Sequence, residues 1–330
     1  MRQRSYSFDT RGFFAVTKVF VFLGAIGIAA HYGTAIAGER LETVAQKIIE
    51  PKTQVAAAAV VTETTETLSQ TPPPATAGII LADKPLPKLS ATSFVIGDVE
   101  NGTILVGKDA DTALPIASIT KLVTALVAKD LIAPEKTITI TAEDRRGTEG
   151  TPGSIPANRS FPAKDLFYPL LMESNNSVAF ALARSQPGFV DAMQAKAKEI
   201  GMTSAHFEEP TGLSAGNQAS ARDIFALVTR VYETHPELLD ITRETNKTIV
   251  SENGQQYPLP NFNVFTKDAR FLGGKTGYTD AANQTMTTIF EVEVDGKTTK
   301  IAVVVLGSDD RKKDIEKLLR WFSEAASLSH

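Results

Sequence analysis

Apolar residues change their period along this chain, and each change marks an element. Phe94 to Val106 carries two apolar stretches around Glu100-Asn101-Gly102. Asn-Gly suits a tight turn that needs positive φ, so the segment predicts a β-hairpin. Helical spacing runs from Ser118 through Lys129, just after Pro115, and again from Lys164 to Met172. The polar stretch 173–176 breaks that helix, and Ser177 to Arg184 resumes it. Val190 to Ile200 and Ala221 to Tyr232 read as further helices. Runs at Thr137–Thr141, Thr245–Ser251, Thr285–Val294 and Thr299–Leu306 are β-branched and predict strands. Asp309 to Ala326 ends the pattern as an amphipathic helix, with Ile315, Leu318, Leu319 and Phe322 on one stripe.

Strands at both ends with helices between them predict an α/β (α+β) domain over residues 89–330. The first and last strands share one antiparallel sheet flanked by helices, the end helix covers one face, and the middle forms a helical lobe. A cleft between sheet and lobe would draw side chains from distant stretches of chain.

Upstream the pattern is different. Residues 1–18 hold Arg2, Arg4, Arg11 and Lys18 against one acid, Asp9, and Val19 to Ala30 is apolar except for glycine. A basic region followed by an apolar one is an export signal. Two outcomes stay open for residues 1–37. Ala35-Ile36-Ala37 suits signal-peptidase cleavage before Gly38. Alternatively Phe13 to Ala30 stays as a hydrophobic anchor helix, near the lower length limit for crossing a bilayer, with Lys18 reaching back to the headgroups. Both place the rest of the chain outside the cytoplasmic membrane, in a periplasm or on the cell-wall side. Residues 38–88 then shift to Thr, Ala, Pro and Glu. Thr71-Pro72-Pro73-Pro74 and Pro85-Leu86-Pro87 cannot continue a helix or a central strand, so this stretch is expected to be a largely disordered linker.

Composition narrows the function. The 330 residues carry a formal charge of −4 and show no basic stripe, which sets nucleic acid aside as a partner. There is no cysteine, hence no disulfide and no thiol chemistry. His31, His206, His235 and His330 are scattered, so no metal and no cofactor is expected. The charge run Asp309–Lys317 mixes both signs and reads as a solvated helix face.

Three motifs carry the chemistry: Ser118-Ile119-Thr120-Lys121, Ser174-Asn175-Asn176 and Lys275-Thr276-Gly277. Ser118 and Lys121 stand three apart on one helical face. A serine hydroxyl needs an adjacent base, and a lysine serves as one only when its pKa falls through burial or a nearby cation. Lys275 is the expected cation. Ser118, at a helix start, also offers its backbone N–H to a developing oxyanion. Ser174 can pass a proton to a leaving amine, and Asn176 can contact both a substrate amide and Lys121. Lys275 and Thr276, read as preceding a strand, can hold a carboxylate, while Gly277 lets a substrate backbone lie close. Ala269–Thr276 also fits a relaxed phosphate loop, but the strand-like Thr285–Phe290 that follows denies it the required helix.

With its motif contexts the chain, from about Ala91 to Ala325, resembles the serine-type D-alanyl-D-alanine carboxypeptidases, the low-molecular-mass penicillin-binding proteins. The supporting residues are Ala117–Lys121 with Thr124-Ala125-Leu126, Leu170-Leu171-Met172 before Ser174, and Pro210-Thr211-Gly212-Leu213. Ala221-Arg222-Asp223, Asn261, Asn263 and Gly274–Thr279 extend the match. The resemblance implies a β-lactamase/DD-peptidase-like fold and an acyl-enzyme on Ser118. It implies Lys121 as general base, Ser174 as proton relay, and Asn176, Lys275, Thr276 and Gly277 as substrate-binding residues. The backbone N–H groups of Ser118 and Tyr278 would form the oxyanion hole. The implied partners are peptidoglycan stem peptides ending in D-Ala-D-Ala, β-lactams as inhibitors, and the membrane if the N-terminal segment is uncleaved.

Two departures stand out. Asn283 replaces the glycine usual after Ala281-Ala282, which places an extra polar side chain near the substrate edge. The β-rich C-terminal domain and amphipathic anchor of many members have no counterpart, so a tether is expected only at the N-terminus. Rival readings are a D,D-endopeptidase acting on cross-links, a β-lactamase using Glu208 or Glu209, and a non-catalytic cell-wall binding protein of the same fold.

Overall fold

The structure is a computed structural model and describes residues 78–148 and 155–329. The export segment 1–37 and most of the linker lie outside the described residues. Among the described residues no helix is long and apolar enough to cross a membrane.

The chain enters through β1 (Ile79–Leu81). The expected hairpin follows as β2 (Ser93–Asp98) and β3 (Thr103–Lys108), turned at Gly102, whose φ is +62°. Asp98 fastens that turn by accepting from the Glu100 and Asn101 N–H groups. After β4 (Leu114–Pro115), a 3-10 turn over Ala117–Ile119 leads into α1 (Thr120–Leu131). Ser118 therefore sits on the 3-10 turn rather than in the helix proper.

The lobe continues with β5 (Thr137–Ile140), β6 (Arg159–Pro162), α2 (Ala163–Leu171), α3 (Asn176–Arg184) and α4 (Phe189–Ile200). Then come β7 (Gln218–Ala219), α5 (Ala221–Thr234), α6 (Pro236–Arg243), β8 (Asn246–Val250) and β9 (Gln256–Pro260). The break between α2 and α3 is where sequence placed it. There Asn175 caps α3, its side chain accepting from the Val178 N–H at 3.1 Å. Helix α6 and strand β9 were not anticipated. The two prolines of β9 argue against a sheet interior, but β9 pairs only with β8, so a missing N–H can face outward.

Strands β10 (Phe271–Thr279), β11 (Asn283–Val294) and β12 (Lys297–Ser308), helix α7 (Arg311–Ala325) and strand β13 (Ala326–Leu328) complete the chain. The central antiparallel sheet has the order β10-β11-β12-β2-β3, so the first and last strands do share one sheet. Asp295-Gly296, both at positive φ, turn β11 into β12. Two sequence expectations are corrected. The Lys275-Thr276-Gly277 motif lies inside β10, not before a strand; its glycines hide the strand pattern, and β10 is an edge that tolerates them. Ile79–Leu81, assigned to the linker by composition, pairs with Ala326–Leu328 and returns the start of the domain to its end.

The sheet is covered on both sides. Ala302, Val304 and Leu306 face the helical lobe, while Val303 and Val305 face α7, whose Ile315, Leu318 and Phe322 are buried. Burial on both faces makes β12 a continuous apolar run instead of an alternating one.

Candidate active site

The nucleophile turn, the α2–α3 break and edge strand β10 converge on one spot. Lys121 is fully buried and its Nζ lies 2.8 Å from Ser118 Oγ, 2.7 Å from Asn176 Oδ1 and 2.6 Å from the Thr211 carbonyl oxygen. Lys275, also buried, donates to Ser174 Oγ at 3.0 Å and to the Thr276 carbonyl at 2.8 Å. Both serines are half-buried, and each hydroxyl is bound to a buried amine.

The local backbone is bent to achieve this. Ala117 and Ser174 occupy the left-handed region at φ +48° and +60°. Such conformations cost about 1–3 kcal/mol in non-glycine residues and persist where surrounding contacts enforce them. Gly277 closes the site from the strand side. A Cβ there would stand 2.8 Å from the Ser118 nitrogen and 2.5 Å from Thr285 Oγ1, so only glycine lets β10 approach the nucleophile turn. Thr276 is buried beside Lys275, and the Tyr278 side chain is 60% exposed and donates to Asp280.

Electrostatics follow from burial. Desolvation lowers the Lys121 pKa to about 7, opposed by the charge of Glu209. Lys275 is pushed well below the ordinary lysine value by desolvation first, then by repulsion from Lys121 and Arg311. Burial is the first cause of depression for both lysines, and the repulsion between the two amines adds to it. Arg311 was not foreseen. It opens α7 within the charge run read as a solvated face, yet its Nη1 donates to the Gly277 carbonyl at 2.7 Å and its own pKa is lowered by burial. No sequence signal separated Arg311 from its exposed neighbours Lys312 and Lys313.

Asn283 begins β11 opposite Thr279 of β10, at φ +52°, and its amide donates to Asp309 Oδ1 at 2.8 Å. Glycine and asparagine are the residues that best tolerate that backbone conformation, which accounts for the exchange. Glu208 and Glu209, the β-lactamase alternative, are both bonded within their own loop: Glu208 to the Ser214 hydroxyl, Glu209 to the Thr211 and Gly212 N–H groups.

Fold and site together define a serine acyl-transfer enzyme of the β-lactamase/DD-peptidase type. The D-alanyl-D-alanine carboxypeptidase family model matches residues 81–310, and the chain belongs to that family. Among relatives, a D-alanyl-D-alanine carboxypeptidase of Mycobacterium tuberculosis is 33% identical over 206 residues, covering 61% of this chain and 70% of the relative. A D-alanyl-D-alanine endopeptidase of Escherichia coli is 28% identical over 261 residues, covering 74% and 83%. A solved D-alanyl-D-alanine carboxypeptidase from M. tuberculosis superposes with a TM-score of 0.66 at 26% identity, covering 76% of this chain and 99% of that one. Penicillin-binding protein D2 of Listeria monocytogenes, in its cefotaxime-bound form, does so at 0.63 and 27%, covering 72% and 99%. The chain is accordingly a serine-type D-Ala-D-Ala peptidase, a hydrolase.

Proposed function

We propose that the protein removes the terminal D-Ala from peptidoglycan stem peptides through an acyl-enzyme on Ser118. The observation that carries these residue roles is the pair of buried amines, each bonded to a half-buried serine. Burial lowers the Lys121 pKa to about 7, which makes the neutral amine accessible near neutral pH. A neutral amine can donate to Asn176 and Thr211 and still present its lone pair to the Ser118 hydroxyl.

In the reaction the substrate lies antiparallel along the exposed edge of β10, its terminal carboxylate near Lys275 and Thr276. Ser118 Oγ attacks the carbonyl carbon of the penultimate D-Ala, and its proton passes to Lys121. Ser118 and Tyr278 donate backbone N–H groups to the oxyanion, and Asn176 donates its amide to the substrate. Collapse breaks the C–N bond. The leaving nitrogen takes a proton relayed from Lys121 through Ser174, and free D-Ala departs. Water then attacks the ester with Lys121 again as base, which releases the shortened stem and restores Ser118. β-Lactams, which mimic the acyl-D-Ala-D-Ala unit, are expected to acylate the same oxygen. The site of action is outside the cytoplasmic membrane, with anchoring through the N-terminal segment if it is retained.

The test is release of D-Ala from a stem pentapeptide by wild type and Ser118→Ala, alongside mass spectrometry after penicillin treatment. Wild type should release D-Ala and gain one penicilloyl adduct on Ser118; the variant should do neither. Equal wall binding with no release by either protein would favour the binding-protein reading. The similarity to a D-alanyl-D-alanine endopeptidase, 28% identical over 261 residues, supports a second activity, cleavage of D-Ala cross-links. Digestion of a cross-linked muropeptide dimer checks it.

A further inference from the structure

Segment 208–217 grips the nucleophile turn and helix at four points. The Ile116 N–H donates to the Asn217 carbonyl at 3.1 Å, and the Asn217 side-chain amide donates to Thr120 Oγ1 at 3.3 Å. Thr124 Oγ1 donates to the Pro210 carbonyl at 2.6 Å, and Lys121 donates to the Thr211 carbonyl. One carboxylate shapes the inner part of this segment. Glu209 Oε2 accepts from the Thr211 N–H at 2.7 Å and the Thr211 hydroxyl at 2.6 Å. Its Oε1 accepts from the Gly212 N–H at 2.6 Å and the Ser214 N–H at 3.3 Å. Gly212 has φ +85°, and a Cβ on it would fall 1.9 Å from the Ala117 carbonyl oxygen. The turn is therefore pressed against the residue that precedes Ser118.

We propose that Glu209 is a positioning residue for the base: its carboxylate folds the 211–214 turn so that the Thr211 carbonyl is held on the Lys121 amine. This rests on the assignment of Lys121 as general base. Four acceptor contacts need both carboxylate oxygens. A glutamine would turn an N–H₂ group toward backbone N–H donors, so the amide cannot replace the carboxylate. Glu209 also acts through space, since its charge strengthens the hold of Lys121 on a proton. Among the described residues, Lys275 on β10 repels the Lys121 amine, Arg311 on α7 acts on Lys275, Glu173 is buried in the α2–α3 break beside Ser174, and Glu208 is turned to Ser214. Loss of Glu209 thus has two separable effects, a misplaced carbonyl and an amine that gives up its proton at lower pH.

The experiment measures the second-order rate of Ser118 acylation by penicillin against pH, with thermal midpoints, for full-chain wild type, Ser118→Ala, Glu209→Gln and Glu209→Asp. Glu209→Gln should slow acylation on the pH plateau by about tenfold or more. Its acid limb should also move to lower pH by about half a unit or more. Glu209→Asp, which keeps the charge but falls short of the turn, should be slower while keeping the wild-type limb. A folded Glu209→Gln whose plateau rate equals that of wild type, or whose limb stays at the wild-type pH, overturns the proposal. If Glu209→Gln does not fold, Glu209→Asp decides alone: an unchanged rate overturns the proposal and a slowed one with the limb in place supports it. Wild type that takes up no penicillin, or Ser118→Ala that does, removes the base assignment itself and is read separately.

Discussion

Lys275 donates to the Ser174 hydroxyl at 3.0 Å across 101 residues of sequence. The lysine comes from the edge of the central sheet and the serine from a break between two lobe helices. Their bond marks where sheet and lobe meet, and it couples the proposed carboxylate-binding cation to the proposed proton relay.

Because burial and two neighbouring cations lower the Lys275 pKa, the amine loses its proton at a lower pH than free lysine. A bound carboxylate favours the protonated form and raises the pKa again. KM for a substrate with a free terminal carboxylate should therefore climb as pH rises, while KM for the matching C-terminal amide should stay flat. Lys275→Gln should abolish that contrast. Steady-state kinetics on both peptides from pH 6 to about 10 measures it.

In its proposed role as base, Lys121 works only when unprotonated, and burial lowers its pKa to about 7. The value of kcat/KM should rise about tenfold per pH unit below 7 and level off above it. Lys121→Met should lower acylation by about a thousandfold or more without loss of fold. Stopped-flow acylation with a chromogenic cephalosporin, together with circular dichroism, tests both.

Gly277→Ala places a methyl 2.5 Å from Thr285 Oγ1 and 2.8 Å from the Ser118 nitrogen. The strand must retreat from the nucleophile turn. The expected result is an acylation rate reduced by about a hundredfold, with a smaller loss in thermal stability. Penicillin labelling of the variant gives the answer.

Asp314, one turn along α7 from Arg311, ties the end helix to the start of the domain. Its carboxylate accepts from the Ala91 N–H at 2.8 Å and from the Ser90 and Ser308 hydroxyls, each at 2.7 Å. Burial acts to raise its pKa, but these bonds lower it on balance. A carboxylate with a lowered folded-state pKa stabilises fully above the ordinary aspartate value of 3.8. That stabilisation is lost as pH falls through the folded value. Asp314→Asn should cost about 1–3 kcal/mol at neutral pH and flatten the acid dependence. Urea midpoints at pH 7 and about pH 3 for both proteins check this.

Much of the architecture was legible because period and punctuation are local. Asn101-Gly102 announced the first hairpin, and the Ile315, Leu318, Leu319 and Phe322 stripe announced the end helix. Glycines disguised β10, and prolines disguised β9, since an edge strand tolerates residues that a central strand rejects. The left-handed backbone of Asn283 was not announced by its residue type, because φ is set by the β10–β11 turn.

The sequence by itself determined which side chains are capable of this chemistry: two hydroxyls and two amines in three short motifs, behind a chain pattern of strands, helices and strands. Tertiary structure alone decided that burial lowers the Lys121 pKa to about 7, that Arg311 leaves the solvated face for the Gly277 carbonyl, and that Glu209 holds the 211–214 turn. The reason is physical. Reactivity here depends on desolvation and on distances of about 3 Å between groups far apart in sequence, and neither exists until sheet and lobe have packed.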